Sequence, residues 1–313
     1  MTLSSCIRWM TLPTEYLRFT YSSARRAFFA LAVLPIAVLL TTTVRGEDHA
    51  IEQGAYLFKA AGCVGCHTRE KPKGKFLAGG RRMVTPFGEF NTPNITPDKT
   101  YGIGDWTFSD FVAAMREGKT RDGSVYYPAF PYSSYTGISD DDLAKLWAYL
   151  RSVPAVAEPE RDHDLMFPFN LRFSVRGWRL LYFDSARFVP DDQKSSEWNR
   201  GAYLTRALGH CGECHTPRNL LGGLDKDSEL AGNKNAPDGK RVSNITPHPK
   251  KGIGTWSESD IVFLLQDGSL PDGDFVGGSM TEVVENGTSH LTESDLRAIA
   301  IFLKALPADE GPL

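Results

Sequence analysis

One pattern occurs twice in this chain, and any fold has to accommodate both copies. GAYL stands at Gly54–Leu57 and again at Gly201–Leu204. LAG recurs at Leu77–Gly79 and Leu230–Gly232, and NITP at Asn94–Pro97 and Asn244–Pro247. GIG plus tryptophan occupies Gly102–Trp106 and Gly252–Trp256. From Asn94 and Asn244 through Phe130 and Met280 the offset is constant at 150, and it becomes 153 where ISDDDLAKLWAYLRSVPA matches LTESDLRAIAIFLKALPA. A unit of roughly 100 residues is a domain, far longer than a solenoid repeat. The sequence therefore predicts a tandem duplication: a first domain over 47–153, a linker over 154–195 and a second domain over 196–313. The linker is rich in proline, aromatics and charge, too apolar for a free tether, and is expected to pack across both domains.

Each copy reads as helical. Gly54 to Ala61 is amphipathic. Thr107-x-x-Asp110 and Ser257-x-x-Asp260 have the form of helix N-caps with an acidic third residue, and Gly118 and Gly268 suit the C-caps. Ser139-x-x-Asp142 and Thr292-x-x-Asp295 repeat the device before the closing helices. Those carry apolar stripes, Leu143, Leu146 and Leu150 in one and Leu296, Ile299, Phe302 and Leu303 in the other, which read as core. No periodic strand pattern competes, so the expected class is all-α.

The first 46 residues are a separate piece. Arginines precede the apolar run Ala27–Leu40, the pattern of an export signal, with Val44 and Gly46 suited to a cleavage site before Glu47. The run is short for a membrane span; an uncleaved anchor, with membrane association through 27–44, is the alternative. This segment holds five of the 35 basic side chains and one of the 38 acidic ones, so the remainder carries 30 against 37, a formal −7. No basic stripe is left to neutralise phosphates, which argues against a nucleic-acid partner.

Cys6 lies in that segment; the other four cysteines form two pairs. Cys63 and Cys66 are followed by His67, and Cys211 and Cys214 by His215, giving CVGCH and CGECH. Disulfides are the default for four cysteines in an exported chain, and a zinc half-site or a dithiol redox pair are the other bland readings. Two copies of C-x-x-C-H favour a different chemistry. Two thiols on adjacent turns add to the two vinyl groups of one porphyrin, and the histidine that follows faces the iron. The expected cofactors are two covalently attached c-type haems, with His67 and His215 as proximal ligands.

These motifs, with TPFG at Thr85–Gly88, PNITPD at Pro93–Asp98 and DGDFVGGSM at Asp272–Met280, carry a family resemblance. Each half resembles a class I cytochrome c domain. The whole, over about residues 50–310, resembles the dihaem cytochromes c related to the cytochrome subunits of periplasmic alcohol and gluconate dehydrogenases. Those subunits often carry three haems, and this chain has sites for two. The resemblance implies a compact helical fold around each haem and single-electron transfer from a dehydrogenase donor to a cytochrome or terminal oxidase. It also implies a distal methionine before the last helix, which Met280 supplies for haem 2.

At the matching position in the first half stands Phe130, whose ring has no lone pair for iron. Three readings stay open. A substitute ligand comes from Met83, Met115, Met166, His163, Tyr126 or Tyr127; the iron is unliganded but shielded; or it is open to a small molecule. The last reading leads to the alternative function, a dihaem peroxidase-like enzyme using an open haem 1 at Phe130. Arg81, Arg82 and Arg218, and the indole N–H groups of Trp106 and Trp256, are candidate partners for haem propionates. His210 and His248 are candidates to lie near a haem edge, and His49 and His290 read as solvated.

Overall fold

A computed structural model describes residues 46–70, 72–236 and 239–312. The chain divides into two units, 1–49 and 50–313. The export signal or anchor falls almost wholly outside the described residues. The second unit holds both C-x-x-C-H segments.

The first half opens with helix α1, which occupies 50–60 of this unit. It continues through α2 (Cys63–His67), α3 (Phe108–Glu117), α4 (Tyr132–Tyr135) and α5 (Asp140–Ser152). The second half runs through α7 (Ser196–Tyr203), α8 (Gly212–His215), α9 (Glu258–Asp267), α10 (Ser279–Asn286) and α11 (Glu293–Lys304). The capping signals act as expected. Thr107 with Asp110 and Ser257 with Asp260 close full capping boxes, and Gly118 (φ 59°) and Gly268 (φ 85°) end α3 and α9 in the left-handed region. Ser139 and Thr292 accept from the backbone N–H of Asp142 and Asp295. The apolar stripes on α5 and α11 are buried.

The first helix of each half crosses the last at a glycine. A Cβ on Gly54 would lie 2.0 Å from the Lys145 carbonyl oxygen, and one on Gly201 2.0 Å from that of Ala298. These contacts explain why GAYL begins with glycine in both copies: only a missing side chain lets the two backbones approach so closely.

The all-α expectation needs correction, because a small sheet is present. β1 (Arg82–Thr85) and β2 (Gly88–Asn91) form an antiparallel hairpin around Pro86–Phe87, and β3 (Asp164–Leu165) pairs with the Gly88–Glu89 end of β2. Strands of two and four residues are too short to show alternation. The third comes from the linker, about 75 residues away along the chain.

The linker packs against both halves. Asp162 O accepts from Asn91 Nδ2 at 2.7 Å, and the Arg172 guanidinium lies 5.2 Å from the centre of the Tyr127 ring. From α6 (Phe173–Tyr182), Tyr182 accepts from Asn219 at 3.2 Å. Phe188 stacks edge-on against Tyr203 at 5.5 Å.

The halves also hold each other directly, and reciprocally. Tyr56, from the first GAYL, donates to Asp295 Oδ2 of α11 at 2.6 Å; Tyr203, from the second, donates to Asp142 Oδ2 of α5 at 2.5 Å. Each phenol oxygen also accepts the N-cap N–H of the opposing helix, Thr292 at 3.2 Å and Ser139 at 3.3 Å. Arg200 adds a bidentate pair to Asp295, at 2.9 and 2.7 Å. This exchange of equivalent contacts is what a pseudo-two-fold relation between the halves requires.

Both kinds of contact can be tested by substitution. Gly201→Ala should cost about 3 kcal/mol or more, since the clash is with backbone rather than with a movable side chain; urea unfolding of the holoprotein measures it. Burial acts to raise the Asp295 pKa, but the hydrogen bonds from Arg200 and Tyr56 outweigh it and hold the carboxyl below its usual range. A depressed native pKa gives stability that is present above the unfolded value of about 4 and lost as pH falls through the native value. Asp295→Asn should therefore cost about 2 kcal/mol at neutral pH, and a difference that shrinks in unfolding curves taken at successively lower pH.

Candidate haem sites

The two C-x-x-C-H segments form short helices held by the same set of bonds. In the first half, His67 Nδ1 lies 2.9 Å from Pro93 O. A carbonyl only accepts, so Nδ1 carries the proton, and in the neutral ring the Nε2 lone pair is left free. His67 O accepts from Gly79 N at 2.8 Å, and Thr68 Oγ1 accepts from Leu77 N at 3.1 Å. In the second half, His215 Nδ1 lies 2.7 Å from Ser243 O, His215 O accepts from Gly232 N at 2.7 Å, and Thr216 Oγ1 accepts from Leu230 N at 3.0 Å. Burial pushes both imidazoles below their usual pKa, which keeps them neutral.

The repeated LAG and NITP segments build this support. Leu77 (φ 57°) and Leu230 (φ 63°) both adopt the left-handed backbone that branched and bulky residues avoid. Both are buried, and their carbonyls accept from Ile95 N and Ile245 N at 3.0 Å each. Asn94 Oδ1 and Asn244 Oδ1 each take the backbone N–H and the hydroxyl of the threonine two residues on. Their amides tie down the end of each half, Asn94 to Val156 O at 2.8 Å and Asn244 to Asp309 O at 2.7 Å. The strain of a left-handed leucine is thus held in place by a fully satisfied network.

None of Cys63, Cys66, Cys211 and Cys214 is joined in a disulfide. Burial pushes the Cys63 and Cys211 thiols up to about 12, so they remain protonated in the bare polypeptide. Among the described residues, no group of three or more His, Cys, Asp or Glu side chains converges on a metal position; a zinc half-site has no completing ligands there. Two neutral thiols and one imidazole with a free Nε2, all on one short helix, fit a covalently attached porphyrin.

Phe130 and Met280 are both partly buried and packed against the core. Met280 is the second residue of α10 and follows Gly278 (φ 63°). Phe130 sits in a turn before α4, with its ring 5.6 Å from Tyr126 and 5.8 Å from Tyr135, centre to centre.

The candidate substitutes for the missing thioether lie in different settings. Met115 is buried in α3, matching Leu265 in α9, and Met166 is exposed. Met83 lies on the hairpin, opposite Phe90 in register. His163 Nδ1 accepts from Asn91 N at 3.2 Å, which puts the proton of its neutral form on Nε2. Burial pushes the Tyr126 phenol up to about 12 and raises that of Tyr127, so neither is a phenolate at neutral pH.

The arginines expected at propionates have protein partners. Arg82 pairs with Glu89, and Arg218 with Glu213. Arg81 donates to Gly65 O inside α2 and to Glu282 on α10. Trp106 and Trp256 pack against the core. His210 is close to Ala61 O (3.3 Å) and stacks edge-on against Tyr135, while His248 accepts the backbone N–H groups of Lys250 and Lys251. Sequence reading missed Glu213 and Glu282. Glu213 is buried in the middle of the second C-x-x-C-H and accepts from Ser134 at 2.9 Å. Its Ser134 partner lies in the other half, and no local pattern announces that contact.

A family model for cytochrome c matches residues 51–154. The chain is 45% identical over 262 residues to a dihaem cytochrome c of Cereibacter sphaeroides, covering 82% of this chain and 86% of that protein. It is 38% identical to the fructose dehydrogenase cytochrome subunit of Gluconobacter japonicus and 37% identical to the gluconate 2-dehydrogenase cytochrome c subunit of Pantoea cypripedii. The aligned regions span 60% and 66% of those two subunits. With that likeness, and with two attachment helices that offer the donors a c-type haem uses, this chain belongs to the dihaem c-type cytochromes and carries covalently bound haem iron.

Proposed function

We propose that this chain is an exported, periplasmic dihaem cytochrome that takes single electrons from a dehydrogenase and passes them to a further cytochrome or a terminal oxidase. The observation that carries the reading is the pair of C-x-x-C-H helices whose histidines are both fixed as Nδ1–H tautomers. Two cytochrome c domains, 47–153 and 196–313, arose by tandem duplication, with 154–195 as the linker packed between them and 1–46 as the export signal or anchor. Among the described residues no helix is long and apolar enough to cross a membrane.

In this reading Cys63 and Cys66 hold haem 1, Cys211 and Cys214 hold haem 2, and His67 and His215 are the proximal ligands. Met280 is the distal ligand of haem 2. When bound, the haem supplies a one-electron couple at iron. The polypeptide fixes the imidazoles, keeps them neutral, and surrounds the site with apolar side chains such as Leu77 and Leu230. A thioether at Met280 favours the reduced iron and raises its potential. Phe130 offers no such ligand, so the two haems would differ in potential, and the phenyl ring with its neighbours Tyr126 and Tyr135 would shield the iron of haem 1. Substrate chemistry belongs to the dehydrogenase partner. The relatives are cytochrome subunits of dehydrogenases, and nothing in the comparisons supports the peroxidase reading.

Potentiometric titration of the holoprotein should give two one-electron couples. Met280→Ala should lower the higher of them by roughly 100 mV or more and leave the other in place; two unmoved couples would remove Met280 as a ligand. The optical spectrum of the reduced protein should be unchanged under carbon monoxide in the wild type, with haem 1 shielded and haem 2 ligated, and should shift for one haem in Met280→Ala.

A further inference from the structure

The halves touch at a second pair of places, and these join the two haem sites. α10, which carries Met280, lies against α2, which carries Cys63, Cys66 and His67. At its far end a Cβ on Gly287 would come within 3.3 Å of Lys59 O. Arg81 makes the polar link. Its guanidinium donates to Gly65 O in the middle of α2 and, at 2.5 Å, to Glu282 Oε2, two residues past Met280. Its backbone is pinned to Thr92 by two hydrogen bonds, of 3.1 and 3.0 Å. The side chains of Arg81 and Glu282 are only 25% and 30% exposed, so water screens the pair weakly. One further acid faces the guanidinium, Glu70 at 3.7 Å.

We propose that Arg81 is a positioning residue that couples the two redox centres, tying the attachment helix of haem 1 to the helix that presents the distal ligand of haem 2. The proposal rests on the haem assignment made under the proposed function. A positive charge held against α2 through Gly65 O would favour reduced haem 1, and Glu282 offsets part of that charge. The same ion pair fixes α10 and with it the approach of Met280. The arrangement makes the potential of haem 1 respond to the charge and position of a group that belongs to the haem 2 ligand helix. No sequence pattern hints at this, since the two residues lie about 200 positions apart.

The test is a spectroelectrochemical titration of the full-length holoprotein, wild type, R81Q, E282Q and the double variant, with haem counted in each sample. The couple that Met280→Ala leaves in place identifies haem 1. R81Q should lower its potential and E282Q should raise it, each changing the reduced-to-oxidised ratio at fixed potential at least about threefold, or about 28 mV at 59 mV per tenfold change. The double variant should lie between the singles and differ from their sum, because each single leaves the other charge uncompensated. Shifts of the same sign in both singles, or none, overturn the coupling: a merely structural contact loosens the site in the same way whichever partner is removed. E282Q keeps the shape of the side chain and guards against misfolding of R81Q. Fewer than two haems in the wild type overturns the haem assignment and the coupling together, whereas two haems with unmoved potentials overturn the coupling alone.

Discussion

The bond from each proximal histidine to a backbone carbonyl is the interaction on which the rest depends. His67 Nδ1 to Pro93 O and His215 Nδ1 to Ser243 O fix ring orientation and proton position together. The carbonyls are offered by residues just before the NITP segments, whose asparagines fold the local chain onto itself and onto the end of each half. Those segments in turn bond to the left-handed leucines of LAG. A histidine that must present Nε2 to iron therefore explains why three separated short motifs recur together. They are one hydrogen-bonded frame.

The second constraint is reciprocity. Tyr56 with Asp295 and Tyr203 with Asp142 place the acidic third residue of each closing helix against the opening helix of the other half. Ser134 with Glu213, and Glu282 with Arg81, do the same for the segments behind Phe130 and Met280 and the opposite attachment helices. Each half thus completes hydrogen bonds to carboxylates of the other, and a buried carboxylate that loses a partner is costly.

Much of the site was legible in the sequence because its parts are local. C-x-x-C-H is a complete instruction within one helical turn, and the caps of α3, α5, α9 and α11 are read from residues three apart. The hairpin Arg82–Asn91 was not legible, since four-residue strands show no period and β3 is brought in from the linker. Nor were the inter-half pairs: Tyr56 reads as part of an amphipathic helix, and Asp295 as a cap residue. The arginines of the first half read as propionate partners by chemistry alone, and the structure commits them to Gly65, Glu282 and Glu89. The unequal pair Phe130 and Met280 was visible from the repeat itself, and both side chains are partly buried against the core.

The most direct test of the account is the number of haems per chain, measured by intact mass and by haem absorbance after denaturation. The wild type should carry two covalently attached haems, and Cys211→Ser with Cys214→Ser, or Cys63→Ser with Cys66→Ser, should each leave one. One haem in the wild type, or two retained after either pair of substitutions, would contradict it.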